Sequence, residues 1–242
     1  MEFGQRTLPG DLLIRQTRTR AAYIPRHTSD IRQPQRRVAA LTIDQLANII
    51  GSLGGSSKDI RDAAILLIGF AGAFRRSELV AIDREDVQIH ETGAAIILRR
   101  SKTDQLGSGR TVSIPRVHGR LCPVTALEKW LYISGIADGP LFRPVTKGGR
   151  AAEQRISAEA VARIIKKRTR AVGCDPGRYS GHSLRVGFAT EAARLGIAKW
   201  RIKAQTGHLS DLMLERYIRQ QEAAEFEGLK SMFAAGCSKR FT

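Results

Sequence analysis

The apolar pattern changes abruptly in the middle of the chain, and this change limits the possible folds more than any other feature. Between Val87 and Ile114 the apolar residues form short or alternating runs, VQIH, AAIILRRS and RTVSI, separated by ETG and DQLGSG. Short runs with a period of two, joined by turn residues, are typical of antiparallel strands. The region therefore predicts a small three-stranded meander.

Helical patterns lie on both sides of this sheet. Thr42 with Gln45 three residues later is typical of a capping box, which predicts a short helix through Ile50. Dense apolar residues predict a buried helix over residues 57–73 and a short one over 77–82. After the sheet we expect helices over residues 123–134, 157–172, 184–195, 199–206, 212–219 and 222–235. The predicted fold is mainly α with a small three-stranded antiparallel β-sheet.

Charge narrows the class of partner. Among 242 residues, 40 Lys and Arg stand against 23 Asp and Glu, which gives a formal net charge of +17 at pH 7. An excess of this size indicates a polyanion, and nucleic acid is the leading candidate. A membrane surface is the rival, but the chain has no apolar run of the roughly 18 residues that span a bilayer and no secretory leader at its N-terminus. We therefore expect an intracellular protein without a membrane partner.

The first 38 residues differ from the rest of the chain. They have little apolar periodicity, and they contain eight arginines and three prolines. This composition predicts an extended basic arm or linker. A disordered tail without a partner fits it about as well.

Neither the cysteines nor the carboxylates suggest a metal site. Cys122, Cys174 and Cys237 are far apart and form no C-x-x-C pair, so we expect reduced thiols rather than a disulfide framework or a zinc site. The acidic residues of AIDREDV have no acidic companions near the other polar motifs. A two-metal nuclease is therefore weakly supported, and we expect these carboxylates to be solvated.

The helix expected over residues 157–172 has two distinct faces. One face is an apolar stripe of Val161, Ile164, Ile165 and Val172. The other, called the basic face below, consists of Arg163, Lys166, Lys167 and Arg170. A solvated surface is the default interpretation of such a run, although the positive charge of the whole chain favours contact with phosphates.

A set of polar residues suited to phosphoryl transfer is spread over several motifs, GAFRRSEL, RRSKTD, SGHSLRVG and QTGHLSDLMLERYIRQ. Its members are Arg75, Glu78, Lys102, His182, Arg185, His208 and Tyr217. Taken singly, each has a structural explanation: a half-buried tyrosine, hydrogen-bonded histidines, a solvated lysine, and an arginine paired with a glutamate. Taken together, they supply a nucleophilic hydroxyl, two guanidinium forks, two imidazoles and an ammonium. Such a set can neutralise a phosphodiester and protonate its leaving oxygen.

The order of these residues resembles the catalytic signature of the tyrosine recombinases, the phage integrase family. The resemblance rests on R-x-S-E-L, a lysine in a strand turn, H-x-x-R, Gly-His and a later tyrosine, and it extends from about Ala39 to the C-terminus. It implies the tyrosine recombinase catalytic-domain fold over residues 39–242. Members of the family normally also have an N-terminal DNA-clamping domain, so residues 1–38 would be an arm or linker without a complete core-binding domain. The chain would then be either a fragment or a short natural form.

The resemblance also implies a role for each member of the set. Arg75 and Arg185 would bind the scissile phosphate, and Tyr217 would attack it to form a 3′-phosphotyrosyl link. Lys102 would protonate the departing 5′ oxygen. No metal and no nucleotide cofactor would be required.

Three further residues complete the expected site. His182 would assist proton transfer, His208 would hydrogen-bond the phosphate, and Glu78 would hold its neighbours in place. Contacts to double-stranded DNA are expected from the basic face and from Arg76, Arg99 and Arg100.

The resemblance implies a cytoplasmic, nucleoid-associated, site-specific recombinase that self-associates on DNA. The apolar residues of 222–235 would dock into a neighbouring protomer and form a tetrameric synapse by helix exchange, or else pack back on their own domain. A type IB topoisomerase-like enzyme and a catalytically inactive DNA-binding relative are the alternatives. The target sequence and the biological role cannot be predicted from these residues.

Overall fold

A computed structural model of the protein describes residues 38–99 and 109–207. The helices of these ranges are α1 Ile43–Ser52, α2 Ser57–Ala71, α3 Arg76–Ala81, α4 Pro123–Ser134, α5 Ala158–Ala171, α6 Ser183–Arg194 and α7 Lys199–Thr206. The predicted arm, the helices predicted over 212–219 and 222–235, and Cys237 lie outside the described residues. Cys122 and Cys174 are free thiols, as expected.

The sheet is the predicted meander. Its strands are β1 (Val87–His90), β2 (Gly93–Leu98) and β3 (Arg110–Pro115), which pair antiparallel in the order β1-β2-β3. Leu98 lies opposite Arg110, so the end of β2 and the beginning of β3 are neighbours. The residues between them in sequence, 100–108, are outside the described ranges. The prediction of a mainly α fold with a small three-stranded antiparallel sheet is confirmed for the residues that the structure describes.

Helix α2 forms the centre of the core. Its N-terminus is capped by Ser56, whose hydroxyl accepts a hydrogen bond from the backbone N–H of Asp59 at 3.2 Å. Residues 64–70 are all buried, and the helix packs against α4 and α6. On α4 the buried indole of Trp130 donates to the carbonyl oxygen of Leu141 at 2.8 Å, which satisfies its one polar atom.

Two glycines allow α6 to approach the core closely. A Cβ on Gly187 would lie 2.1 Å from the carbonyl oxygen of Leu41, and one on Gly69 would lie 2.7 Å from Leu184 Cδ1. At Gly187 the obstacle is backbone, so a larger side chain does not fit, whereas at Gly69 a larger side chain would require Leu184 to shift. The close approach places the first turn of α6, which carries Arg185, near the end of α2.

For the helices that lie within the described residues, the predicted limits are correct to within about two residues. The capping box is confirmed: Gln45 N–H donates to Thr42 Oγ1 at 3.2 Å, and Thr42 N–H donates to Gln45 Oε1 at 3.1 Å. Helix α2 ends at Ala71 rather than at residue 73 because the chain turns at Gly72, and Ala73 has φ of 49° in the left-handed region.

None of the helices within 38–99 and 109–207 combines the length and the apolar composition needed to cross a membrane.

Candidate active site

Arg75 and Glu78 lie directly after the turn that ends α2. Arg75 is the N-cap of α3, and Glu78 is in its first turn. Glu78 Oε2 accepts from the backbone N–H of Arg75 at 2.9 Å, and Oε1 accepts from Arg75 Nη1 at 2.5 Å. Only 3% of the Glu78 side chain is exposed, against 20% for Arg75. The carboxylate therefore holds both the backbone and the guanidinium of Arg75.

The charge state of Glu78 follows from its neighbours. Burial raises the pKa of the Glu78 carboxyl, but hydrogen bonds and charge from Arg75, together with the charge of Arg110, outweigh burial. The pKa of Glu78 consequently lies below its usual value, and the side chain is a carboxylate at neutral pH.

Arg185 joins the ends of two helices. Its side chain extends from the first turn of α6 and the residue is 1% exposed. Nη1 donates to the carbonyl oxygen of Ala73 at 2.9 Å and also to that of Thr206. Ala73 follows α2 and Thr206 ends α7, and backbone carbonyls at helix C-termini favour cations. The guanidinium is thereby oriented by backbone atoms.

His182 lies close to both arginines. It is the N-cap of α6 and is half-buried, and its backbone N–H donates to Ser180 Oγ at 3.1 Å. Burial lowers the pKa of the imidazole, and the charges of Arg185 and Arg75 lower it further. At neutral pH the ring is therefore uncharged and able to accept a proton.

Arg110, at the start of β3, is a contact of this site that the sequence analysis missed. Its Nη1 donates to the carbonyl oxygens of Gln205 at 2.9 Å and Ala204 at 3.3 Å, in the last turn of α7. Its Nη2 lies 3.6 Å from Glu78 Oε2. The only signal in the sequence is an arginine directly after the turn DQLGSG, and an exposed loop charge explains it equally well.

Gln205 makes the second connection of α7, and it was also missed. Its Nε2 donates to the carbonyl oxygen of Ala71 at 2.8 Å and to that of Ser113 at 3.0 Å. The last turn of α7 is thus tied to the end of α2 and to β3. Gly207 follows with φ of 62°, which ends the helix.

Part of the predicted catalytic set is brought together in this way. Arg75, Glu78, His182 and Arg185 meet although they lie in two distant stretches of sequence. The other residues of the predicted set, Lys102, His208 and Tyr217, and the proposed DNA contact Arg100 lie outside the described residues. Their placement and their roles stay predictions.

The basic face expected on α5 is exposed. All four of its residues, Arg163, Lys166, Lys167 and Arg170, are accessible, and together with Pro176 and Gly177 they line one shallow groove. On the same helix Arg168 differs, because it pairs with Asp62 at 2.6 Å and Asp59 at 2.7 Å. On α5, the positive charge that faces solvent without a carboxylate partner thus comes mainly from the four residues of the basic face.

Two other proposed DNA contacts, Arg76 and Arg99, are also exposed. The stem of Arg76 passes over Gly181, where a Cβ would lie 2.7 Å from Arg76 Cδ, next to His182. Arg99 is 64% exposed along its side chain and pairs with Asp86 at 2.6 Å. Part of its charge is therefore already compensated.

Two of the three carboxylates of AIDREDV are in ion pairs, whereas Glu85 is exposed and accepts from the backbone N–H of Gly139 at 3.0 Å. Asp83 accepts from Arg155 Nη2 at 2.5 Å, and Asp86 is buried and bound to Arg99. The expectation that these carboxylates are solvated is therefore wrong for Asp86, because its oxygens are occupied by Arg99 and the backbone N–H of Asp83. In the part of the chain that the structure describes, no three His, Cys, Asp or Glu residues form a group that could hold a metal ion.

Comparison with known proteins places this chain in a family. The profile of the phage integrase family matches residues 39–224. An integrase/recombinase xerD homolog of Selenomonas ruminantium is 43% identical over 175 residues, which are 72% of this chain and 51% of the relative. The Cre recombinase of Escherichia phage P1 is 31% identical over 183 residues, 69% of this chain and 51% of Cre. The chain spans about half the length of these curated relatives.

Solved structures agree on the fold. The crystal structure of XerA recombinase has a TM-score of 0.59 at 22% identity and covers 83% of this chain and 65% of XerA. XerH recombinase, in a post-cleavage complex with palindromic difH substrate, has a TM-score of 0.59 at 16% identity over 79% of this chain and 52% of XerH. The chain therefore belongs to the phage integrase family, the tyrosine recombinases, and has the fold of their catalytic domain.

Proposed function

We propose that this chain is the catalytic part of a site-specific DNA recombinase that cuts and rejoins strands through a 3′-phosphotyrosyl intermediate, without metal or ATP. The observation that carries the proposal is the meeting of Arg75, Arg185 and His182 at the ends of α2, α6 and α7, with Glu78 orienting the first of them. The guanidiniums of Arg75 and Arg185, called the cationic cradle below, lie beside the neutral imidazole of His182.

The cradle suits an attack on a phosphodiester. A phosphodiester repels nucleophiles by its negative charge, and guanidiniums that stay charged can neutralise its nonbridging oxygens in the transition state. Their orientation by Glu78 and by the helix-end carbonyls precedes substrate binding, so little reorganisation is needed.

The proton transfers are assigned from residue chemistry. Tyr217 would attack phosphorus as its phenolic proton leaves, and the P–O5′ bond would break while Lys102 protonates the 5′ oxygen. His182 would accept or return a proton, and His208 would donate a hydrogen bond to the phosphate. The new P–O(tyrosyl) bond keeps the energy of the broken one, so rejoining is the reverse step and needs no nucleotide.

Double-stranded DNA is the proposed partner. The net charge of +17, the exposed basic face and Arg76 beside His182 support it, and each phosphate contact adds to the salt dependence of binding. The relative XerH was solved with its difH substrate. We further propose that the chain works with the nucleoid, on a tetrameric synapse built by exchange of residues 222–235, and that residues 1–38 are a basic arm ahead of the catalytic domain at 39–242.

The test is capture of the covalent intermediate. Duplexes that bind the protein are first selected from a randomised library. The selected sequence is then nicked at each position in turn, so that cleavage releases a short 5′-hydroxyl fragment and traps the enzyme. With EDTA present, we expect a denaturant-resistant protein–DNA adduct that is lost in Tyr217→Phe.

The matched control is Tyr132→Phe, because Tyr132 on α4 is 89% exposed and lies outside the proposed site. Absence of an adduct with every nicked duplex would indicate a DNA-binding relative without activity. An adduct that persists in Tyr217→Phe would exclude that nucleophile. Relaxation of supercoiled plasmid without strand exchange between two duplexes would indicate a topoisomerase-like enzyme.

A further inference from the structure

The contacts of Arg110 connect three parts of the candidate site. Its guanidinium reaches the carboxylate that orients Arg75, and it also reaches two carbonyls in the last turn of α7. We propose that Arg110 is a positioning residue for strand cleavage, which holds Glu78 and the end of α7 in one arrangement. This inference rests on the proposed function.

The first step of the argument is charge. One carboxylate, Glu78, lies between two guanidiniums, with Arg75 at 2.5 Å and Arg110 at 3.6 Å. An Arg75–Glu78 pair alone would be neutral and would attract a phosphate weakly. With Arg110 the group of three has a net charge of +1, so Glu78 can orient Arg75 without cancelling the charge that a phosphate meets.

The second step is the location of α7. Gly207, directly before His208 in the sequence, packs on the Arg110 guanidinium, since a Cβ there would lie 2.9 Å from Arg110 Nε. Helix C-termini favour cations, and Arg110 supplies one to the carbonyls of Ala204 and Gln205. Without the Arg110 side chain, the last turn of α7, which precedes His208 in the sequence, would lose its connection to the Glu78 carboxylate.

The third step is a comparison with the other end of β3. Arg116, just after the strand, uses its donors fully: Nε bonds Glu91 O at 2.9 Å, and Nη1 and Nη2 bond the Glu128 carboxylate at 2.8 and 2.7 Å. In Arg110 the buried Nε makes no hydrogen bond to the described residues, and Nη2 has only the longer ion pair with Glu78 at 3.6 Å. Burial accordingly lowers the pKa of Arg110. A residue that served stability alone would be better satisfied.

The experiment compares Arg110→Met with Arg116→Met on the selected, nicked duplex. The Kd for intact DNA and the single-turnover rate of adduct formation at saturating protein are measured separately, with melting temperatures of both variants. For Arg110→Met we expect the rate to fall about 10- to 100-fold, the range of a residue that orients reacting groups, with a nearly unchanged Kd. Arg116→Met should keep the rate of the unmodified protein.

Arg110→Lys provides a second variant that keeps the charge beside Glu78. We expect it to recover much of the lost rate, and we expect Arg110→Met and Glu78→Gln to combine less than multiplicatively. An undiminished rate in Arg110→Met, a parallel loss of rate and DNA affinity, or a lysine variant no faster than the methionine variant would each overturn the inference. If the unmodified protein forms no adduct, the proposed function itself is wrong and the inference fails with it.

Discussion

Replacing Glu78 by glutamine tests the central electrostatic arrangement of the site. The substitution keeps the size of the side chain but removes the negative charge between Arg75 and Arg110. Removing one partner of a buried pair leaves the other charge uncompensated, which typically costs about 3–5 kcal/mol. Because the two arginine side chains are 20% and 19% exposed, solvent compensates part of this cost. We therefore expect Glu78→Gln to lower the free energy of unfolding by about 2–3 kcal/mol.

The measurement is urea and thermal unfolding of the full chain. For a domain of this size, each kcal/mol shifts the melting temperature by about 2–4 °C, so the expected shift is on the order of 5–10 °C. The control is Glu128→Gln, because Glu128 accepts two hydrogen bonds from Arg116 but is 40% exposed. An exposed pair contributes little, so the control should lose much less stability.

The stability contributed by the Glu78 carboxylate should depend on pH in a predictable direction. The pKa of Glu78 is lowered in the folded protein, so its contribution is fully present above the unfolded value of 4.5 and is lost as the pH falls through the lowered folded value. The difference in stability between Glu78→Gln and the unmodified protein should therefore be constant from pH 7 down to about the unfolded value of 4.5 and should shrink below it. A difference that stays constant below pH 4.5, or equal losses for Glu78→Gln and Glu128→Gln at pH 7, would refute the electrostatic explanation.

Two further predictions concern the imidazole and the turn before Arg75. An NMR titration of the free protein, with His182→Asn to assign the signal, should give His182 a pKa below 6.5, because burial and two arginines disfavour the imidazolium. The folded protein should therefore become less stable as the pH falls below 6.5, since the unfolded chain then binds the proton more readily. A pKa at or above 6.5 would contradict the geometry. Gly72→Ala places a Cβ 2.1 Å from the Phe74 ring, so it should cost about 1–3 kcal/mol and slow cleavage. Gly51→Ala, in open space on α1, should instead stabilise the protein by about 0.5–1 kcal/mol, and comparable losses in both variants would contradict this account.

Local signals made the elements predictable from the sequence. The capping box at Thr42, the densely apolar α2 and the alternation of β1 to β3 each depend on residues a few positions apart, and all three were found. The end of α2 was placed two residues too late, because the chain turns at Gly72 and Ala73 has a left-handed φ of 49°. The apolar pattern continues through this turn and does not indicate it.

Sequence motifs predicted only those residues of the candidate site that lie within them. Arg75, Glu78, His182 and Arg185 stand in short motifs that resemble a known family, whereas Arg110 and Gln205 do not. Arg110 is 95 residues from its partner Gln205, and Gln205 is 134 residues from Ala71. Such contacts exist only after α7 has packed against β3 and the end of α2, so no spacing rule could indicate them.

The positions of these residues explain how several guanidiniums can lie close together. Arg185 and Arg110 donate to carbonyls that follow α2 or end α7, where the helix backbone leaves acceptors and partial negative charge. Arg75 is held by Glu78 instead. Backbone carbonyls orient a guanidinium and, unlike a carboxylate, leave its full charge in place. Arg110 donates to carbonyls but also lies 3.6 Å from Glu78, so it shares that carboxylate with Arg75. We therefore expect Arg185, which donates to carbonyl oxygens, to contribute more positive potential at the site than Arg75.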